Sequence, residues 1–414
     1  MRIAMLSTHT SPLAALGGKH SGGMNVYVRE LGTELARLGH QVDIFTRAAQ
    51  PEQQILAKGA RLVALSAGPR SELALNEFPA HLPEFAKNIS DFARVEGLRY
   101  DLIHAHYWLS GLVGAQLKAA WSVQMLLMFH TLGLVKNRIT AVGERESDGR
   151  IRGERTAMAA ADIVVAATPS ERADLQWLYE LRSDRVAVIS PGVDLQRFTP
   201  LSKVEARASL CLPLDEHLLL YVGRIEALKG IDTLIRAAHL IVSSGAPSVK
   251  SLRVQIIGGD SDEKFESLSV EMARLKNLTQ ELGIQDRVQF LGSRRQEELP
   301  TYYGAADVVV MPSYAETFGM VALEAMACAR PVLASRVGGL VYLVQDGKTG
   351  YHVQEGRPEE LAQRLMELLS NSELRERMGE AARKVAEKYL WSKTAGEIIE
   401  LYKTIVKLKL GSDS

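Results

Sequence analysis

The chain alternates short apolar runs with stretches of helical periodicity, and this pattern occurs twice. The first series of apolar runs predicts strands at residues 2–7, 41–46, 62–65, 102–105, 124–129, 163–166 and 186–189. Between these runs, stretches such as 26–38 repeat apolar residues at helical spacing, and Gly39 ends that example. Strands that alternate with helices in this way form doubly wound parallel sheets, so the pattern predicts an α/β fold.

The second series predicts strands at 218–222, 252–257, 288–291, 308–311, 331–334 and 350–353. Between the two series lies segment 191–200, whose prolines and glycine indicate a hinge and not a regular element. We therefore predict one domain over residues 1–192 and a second over 193–392, followed by a last helix at about 393–408. A chain of 414 residues with 46% hydrophobic composition can build both cores.

The overall charge excludes some classes of partner. Lysine plus arginine equals aspartate plus glutamate at 49 each, so no global field favours nucleic acid or anionic membranes. The first apolar run is too short for a signal peptide, and no later run reaches the length of a membrane span. Only Cys211 and Cys328 are present, which suits a reducing compartment. We expect a cytoplasmic protein with no integral membrane association.

Two carboxylates and two cations follow predicted strands of the second domain. Glu316 and Glu324 flank a Phe-Gly turn after strand 308–311, where a helix beginning near Phe318 would expose free N–H groups to phosphate. Arg224 and Lys229 follow strand 218–222 and suit a diphosphate. The alternatives are that Glu316 is a helix-capping carboxylate, that Glu324 is a surface residue, and that the two cations lie on a solvated loop.

A glycine-rich loop at residues 17–23 follows the first strand and precedes a helix that opens at about residue 24. Its glycines would let the backbone approach a ligand at a helix N-terminus. The loop matches neither the dinucleotide-binding nor the Walker glycine pattern, which argues against a nicotinamide enzyme and an ATPase. A plain turn is the alternative.

The order of these motifs resembles that of the retaining glycosyltransferases of family 4. The resemblance spans nearly the whole chain, through segments 22–27, 129–137 and 190–194 to the paired glutamates. Within the family the motifs are most similar to those of the mycothiol-pathway enzymes that act on inositol phosphate, and next to those of sucrose-phosphate synthases. The resemblance implies two Rossmann-like domains facing across a cleft, an arrangement called GT-B. It also implies that the last helix crosses back, which adds residues 393–414 to the N-terminal domain.

The resemblance implies a donor site and a catalytic set. It places the backbone of Gly22 and Gly23 on the donor diphosphate, Glu324 on the ribose, and the Arg294 backbone on the base. Arg224 and Lys229 would stabilise the leaving diphosphate, while His130 would lie beside the anomeric carbon. The sugar would be oriented by the segment that follows strand 308–311, namely Glu316, Phe318, Gly319, Met320 and Val321. Uridine diphosphate is the expected carrier, and no cofactor is required.

Two patterns raise the alternative of a metal. Asp260-Ser-Asp262 has the Asp-x-Asp spacing that another glycosyltransferase fold uses for a divalent ion. His104 and His106 form a His-x-His pair but lack a third ligand with supporting spacing. We predict no metal. His130 itself could equally be a structural histidine at the end of a strand.

The acceptor site departs from its relatives. Where both subfamilies have a lysine that helps to hold an acceptor phosphate, this chain has Leu75. The resemblance assigns acceptor contacts to Asn25, Tyr107, Thr131, Lys136, and Arg150 or Arg152. We expect transfer of a hexose from UDP-glucose or UDP-N-acetylglucosamine to a small polar acceptor, with or without phosphate, such as inositol phosphate or fructose 6-phosphate. A sugar-nucleotide 2-epimerase and a non-catalytic sugar-nucleotide-binding protein are the alternatives, and assembly into a homo-oligomer stays open.

Overall fold

The computed structural model describes residues 1–14, 22–139, 145–246, 251–259 and 269–412. Its first half is built on an eight-stranded sheet in the order β3-β4-β2-β1-β5-β6-β7-β8. The strands are β1 Arg2–Leu6, β2 Gln41–Arg47, β3 Glu52–Ala57, β4 Ala60–Leu65, β5 Leu102–His106, β6 Gln124–Met128, β7 Ile163–Ala166 and β8 Val186–Val188. The sequence pattern predicted seven of these strands and missed β3.

Strand β3 pairs antiparallel with β4, whereas the other strands of this sheet pair in parallel. It is a polar strand at the edge of the sheet, and most of its residues are exposed. The apolar periodicity that identifies buried strands is therefore absent from it. Where the structure describes this half, six α-helices accompany the sheet, at α1 Gly23–Arg37, α2 Leu82–Val95, α3 Trp108–Trp121, α4 Gly133–Asn137, α5 Asp148–Ala160 and α6 Pro169–Tyr179.

The second half is built on a six-stranded, wholly parallel sheet in the order β11-β10-β9-β12-β13-β14. The strands are β9 His217–Val222, β10 Leu252–Ile257, β11 Val288–Gly292, β12 Val308–Met311, β13 Val332–Ser335 and β14 Gly350–Val353. The described residues of this part also form eight α-helices, at α7 Lys203–Ser209, α8 Ile231–Ser243, α9 Val270–Glu281, α10 Leu299–Ala305, α11 Met320–Ala327, α12 Leu340–Leu343, α13 Pro358–Ser370 and α14 Ser372–Ala386. The two sheets confirm the predicted α/β fold of two Rossmann-like units.

Each sheet changes its winding direction at one place, and these places position the functional site. In the first sheet the order reverses between β1 and β5, and in the second between β9 and β12. Ligands of such folds bind outside the carboxyl ends of the strands at these switch points. The loops that follow β5, β6, β9 and β12 carry Tyr107, His130, Arg224 and Glu316.

The last helix, α15 Trp391–Ser412, packs on the first half of the molecule, which confirms the predicted crossing. Its Tyr402 hydroxyl lies 2.7 Å from Nδ1 of His104 on β5. The helix begins at Trp391, whereas the sequence suggested a break there. Just before it, the Val193 N–H donates to the Tyr389 carbonyl at 2.8 Å, so the two segments that connect the halves run side by side. The boundary at 192/193 stays a prediction.

Across the described residues, no helix combines the length and the apolar character that crossing a lipid bilayer would need.

Candidate active site

A cleft of about 770 Å³ lies between the two sheets, and residues of both halves line it. The cleft brings together seventeen of the eighteen predicted site residues: Gly22, Gly23, Asn25, Tyr107, His130, Thr131, Lys136, Arg150, Arg224, Lys229, Arg294, Glu316, Phe318, Gly319, Met320, Val321 and Glu324. The exception is Arg152, which is exposed. Residues two positions apart on a helix face nearly opposite directions, and it is Arg150 that points into the cleft.

The two predicted diphosphate cations stand on the second-domain wall, each beside a carboxylate. Arg224 follows β9, and its Nη1 lies 2.7 Å from Glu226 Oε1. Lys229 ends a short 3-10 turn, Ala227–Lys229, just before α8, and its Nζ lies 2.6 Å from Glu316 Oε2. Both cations are only partly buried, so an incoming anion could reach them. An anion that binds here would compete with Glu226 and Glu316 for their positive charge.

The backbone around Glu316 is held by two glycines of the loop after β13. The Gly339 N–H donates to the Glu316 carbonyl at 3.0 Å. Gly338 has a φ of +47°, and a Cβ there would lie 1.8 Å from that same carbonyl oxygen. Only glycine permits both this backbone conformation and this close approach. The loop therefore fixes the position of Glu316 relative to helix α11.

Helix α11 begins at Met320, two residues later than the sequence predicted, and the left-handed Gly319 (φ +103°) stands before it. Glu324 lies in the interior of this helix and is buried. Its carboxylate accepts hydrogen bonds from Gln296 Nε2 at 3.1 Å and from the Tyr303 hydroxyl at 2.9 Å. Burial raises the pKa of Glu324 to about 7. The alternative that Glu324 is a surface residue is therefore wrong.

Gln296 connects Glu324 to the opposite domain. Its Oε1 accepts from Arg197 Nη1 at 2.9 Å and also from the guanidinium of Arg29 on α1. Arg294, two residues earlier, donates from Nε to the Tyr302 hydroxyl at 3.0 Å. The predicted ribose carboxylate thus belongs to a polar network that joins the two halves of the molecule.

On the first-domain wall, the backbone is strained at two neighbouring strand ends. Tyr107 follows β5 with φ +76° and ψ 159°, a region that side-chain-bearing residues rarely occupy. His130 follows β6 with φ +62°. Strained conformations of this kind cluster at active sites, where the surrounding structure maintains them.

His130 makes contacts on two sides. Its carbonyl oxygen accepts a hydrogen bond from the Thr317 hydroxyl of the opposite wall at 2.8 Å. Its ring nitrogen Nε2 lies 3.1 Å from Nδ1 of His106. Burial, with a smaller contribution from His104, lowers the pKa of His130 to about 3. The imidazole is therefore neutral at physiological pH, and it stands where the two walls meet.

Gly22 and Gly23 begin helix α1 and face the second domain. A Cβ at Gly22 would lie 3.7 Å from Arg224 Nε, and one at Gly23 would lie 3.4 Å from Met320 Cγ. The Asn25 side chain accepts from the Gly22 N–H at 2.9 Å and donates to the Thr10 hydroxyl at 2.7 Å. Asn25 thus holds the loop in place and has few polar atoms left for a ligand. Residues 15–21 of the glycine-rich loop lie outside the described part of the chain.

The remaining predicted acceptor residues form a charged cluster beside His130. Glu146 Oε1 lies 2.6 Å from Arg150 Nη1 and 2.9 Å from Lys136 Nζ, so it bridges both cations. Arg150 also contacts the buried Glu154 at 2.9 Å and donates to the Thr131 hydroxyl at 3.1 Å. Burial of Arg150 acts to lower its pKa, but Tyr107 and the carboxylates of Glu154 and Glu146 outweigh this effect and raise the pKa above its usual value.

Sequence reasoning missed Glu146, Glu171 and Thr317, which line the cleft, and also Glu154 and Gln296, which contact the lining residues Arg150 and Glu324. Glu146, Arg150 and Glu154 are spaced by four residues, a pattern of alternating charge that could have indicated one helical face. Thr317 and Gln296 carried no such signal. Glu171 also lines the cleft, and burial raises its pKa to about 7.

Within the part of the chain that the structure describes, no three histidine, cysteine, aspartate or glutamate side chains group as metal ligands. Asp260 and Asp262 lie outside the described residues.

Comparisons with known proteins agree with this architecture. Residues 21–197 match the family model described as Glycosyltransferase Family 4, and residues 202–385 match that of Glycosyl transferases group 1. The chain is 42% identical over 412 residues to a D-inositol 3-phosphate glycosyltransferase of Corynebacterium urealyticum, covering 98% of this chain and 96% of that one. A second such enzyme, from Catenulispora acidiphila, is 41% identical over 97% of this chain and 94% of its own length.

Among solved structures, the sucrose-phosphate synthase of Thermosynechococcus elongatus superposes with a TM-score of 0.89 at 35% identity, over all of both chains. Anabaena HepE, solved in complex with UDP and glucose, has a TM-score of 0.76 at 20% identity, covering 98% of this chain and all of that one. The second likeness is informative about the fold alone.

Proposed function

Because the chain belongs to the family 4 glycosyltransferases, we propose that it transfers a hexose from a nucleotide diphosphate sugar to a small polar acceptor and retains the anomeric configuration. The observation that carries this proposal is the arrangement across the cleft. Two cations and Glu316 follow strands of one sheet, and His130 follows a strand of the other sheet. A donor between these walls would have its diphosphate on Arg224 and Lys229 and its sugar next to His130.

In the proposed reaction, the bond between the anomeric carbon and the diphosphate oxygen breaks while the acceptor oxygen bonds to the same face. The acceptor proton passes to the departing diphosphate oxygen. Arg224 and Lys229 would stabilise the charge that develops on that oxygen. The His130 carbonyl points its negative end into the same region, where it would stabilise positive charge on the sugar ring once Thr317 gives way.

The donor is proposed to be UDP-glucose or UDP-N-acetylglucosamine. Glu316 would bind the sugar's hydroxyls together with the free N–H groups at the start of α11. Glu324 would bind the ribose and the Arg294 backbone the base. This proposal needs Glu324 to exchange one of its present partners, Gln296 or Tyr303, for the ribose hydroxyls.

For the acceptor, we propose a polyol whose phosphate, where present, binds Arg150 with help from Lys136. The relatives are named for inositol 3-phosphate, and the structural neighbour for sucrose phosphate. In this chain Leu75 lines the cleft where a lysine would add a third cation. Leu75→Lys should therefore improve the use of phosphorylated acceptors, and an unchanged acceptor KM would argue for an acceptor without phosphate.

The direct test is a mass-spectrometric screen of UDP sugars against inositol phosphate, fructose 6-phosphate, glycerate and lipid acceptors. A glycosylated product that appears only with both substrates supports the proposal. Incubation of the donor without an acceptor separates the alternatives, because an epimerase converts the sugar alone and a binding protein leaves it unchanged. Either of those results, without product in the screen, would overturn the proposal.

We also propose that the reaction needs no metal, since two cations already face the diphosphate. Activity should persist in excess chelator. Loss of activity that manganese restores would favour a metal site at Asp260 and Asp262. A cytoplasmic location, where nucleotide sugars are available, completes the proposal.

A further inference from the structure

His106, the last residue of β5, contacts His130 from behind the cleft wall. It is fully buried, and its Nδ1 lies 3.1 Å from His130 Nε2. The His104 ring is tilted against it at 4.3 Å between centroids, and the Tyr27 ring meets it edge-on at 5.5 Å. The surrounding rings therefore hold His106 in place, and its hydrogen-bonding neighbour is His130, the proposed catalytic residue.

The hydrogen bond between the two rings can form in only two ways. One of the two nitrogens carries the hydrogen and the other accepts it, because burial lowers the pKa of both histidines and keeps both rings neutral. Because a neutral imidazole carries one hydrogen, each choice also determines whether the second nitrogen of each ring is protonated or bare. If His106 donates from Nδ1, His130 must carry its own hydrogen on Nδ1.

The surroundings of His106 distinguish the two arrangements. Its Nε2 is buried and has no hydrogen-bond partner among the described residues. A hydrogen on that nitrogen would be a buried N–H without an acceptor, which folded proteins rarely tolerate. A hydrogen on Nδ1 is instead satisfied by His130. The arrangement with the His106 hydrogen on Nδ1 is therefore favoured.

We propose that His106 is a positioning residue that fixes the tautomer of His130, so that His130 presents an Nδ1–H donor to the cleft. A donor there would bind a hydroxyl oxygen of the transferred sugar, while the His130 carbonyl contributes negative charge. The role in turnover rests on the proposed function, but the tautomer does not.

The test uses the full-length protein with 15N-labelled histidine. Nitrogen chemical shifts distinguish a protonated from a bare imidazole nitrogen, and His130→Gln identifies the His130 signals. In the wild-type protein without substrate we expect His130 to show a protonated Nδ1 and a bare Nε2. The reverse pattern would overturn the proposal, whatever reaction the enzyme catalyses.

Two isosteric variants give the kinetic test. The amide nitrogen of His106→Asn can occupy the place of Nδ1, whereas that of His106→Gln falls near Nε2. We expect Asn to retain the His130 tautomer and most of the turnover. Gln should lose the tautomer and lower kcat on the order of tenfold to a hundredfold, with little change in donor KM. Equal behaviour of the two variants would contradict the proposal.

Tyr402→Phe is the matched control, since it removes a buried hydrogen bond to the neighbouring His104 and leaves His106 intact. Its His130 tautomer and kcat should match those of the wild type. If Tyr402→Phe changes the His130 shifts as much as His106→Gln does, general repacking explains the effect and the proposal fails. The nitrogen shifts test the tautomer and the transfer assay tests the proposed function, so either proposal can fail while the other stands.

Discussion

Replacing Lys229 by methionine should reduce turnover strongly and stability only slightly. Methionine keeps most of the apolar stem and removes the ammonium group. That ammonium group lies 2.6 Å from Glu316 Oε2, and the two side chains are 17% and 16% exposed. A pair with this residual exposure contributes about 1 kcal/mol to folding. The expected change in melting temperature is therefore at most a few degrees.

The effect on catalysis is expected to be larger, because the leaving diphosphate gains negative charge that only a preorganised cation can stabilise without rearrangement. Removal of one such contact typically costs about 3–4 kcal/mol, which corresponds to a loss of roughly a hundredfold to a thousandfold in kcat. Arg224→Ala should show a loss of at least about a hundredfold for the same reason.

The assay is the release of UDP under saturating donor, with binding of UDP to the same proteins followed by calorimetry. Lys403→Met is the matched control, since it removes a lysine that pairs with Glu400 at 2.7 Å on the surface of α15. Its kcat should equal that of the wild type. A folded Lys229→Met enzyme with wild-type kcat would refute the assignment of Lys229 to the leaving group.

Gly22→Ala should leave the melting temperature unchanged, because a Cβ there would make only ordinary van der Waals contacts. The same Cβ should obstruct the diphosphate and raise the donor KM about tenfold, and an unchanged affinity for UDP would contradict this. Arg150→Ala should raise the acceptor KM about tenfold or more, whereas Arg152→Ala, at an exposed position, should leave it unchanged. Equal acceptor KM values for the two variants would show that Arg150 does not bind the acceptor. Burial raises the pKa of Glu324 from 4.5 to about 7. Between these two pH values the folded state keeps a proton that the unfolded state releases. The free energy of unfolding therefore decreases as the pH rises from 4.5 to about 7. Urea titrations at pH 5 and 8 should show that Glu324→Gln removes up to about 3 kcal/mol of this loss, and an unaltered pH dependence would show that Glu324 is ionised throughout.

Much of the fold could be predicted because its strands are buried on both faces. Such strands appear in sequence as continuous apolar runs, and this signal identified thirteen of the fourteen strands that the described residues form. Strand β3 lies at the edge of its sheet and has no buried face, so its sequence contains no apolar run that would identify it as a strand. The late start of α11 depends on the left-handed Gly319, a conformation that composition alone does not specify.

The candidate site was predictable as a set of residues but not as a set of contacts. Polar residues that follow parallel strands must gather at one edge of a sheet, which explains why Arg224 and Glu316 meet in the cleft. Their present partners depend on side-chain geometry between segments far apart in sequence. The contact of Thr317 with His130 joins residues 187 positions apart, and no local pattern indicates it.

The path of the chain also determines how this enzyme could be recombined with its relatives. Helix α15 belongs in sequence to the end of the second half, yet it packs on α1 and reaches β5 through Tyr402. An exchange of acceptor specificity by swapping the N-terminal half alone would pair a foreign α1 with the native α15. A working chimaera must therefore carry its own C-terminal helix, and the natural unit of exchange is a discontinuous one with two junctions, near Val193 and near Leu390.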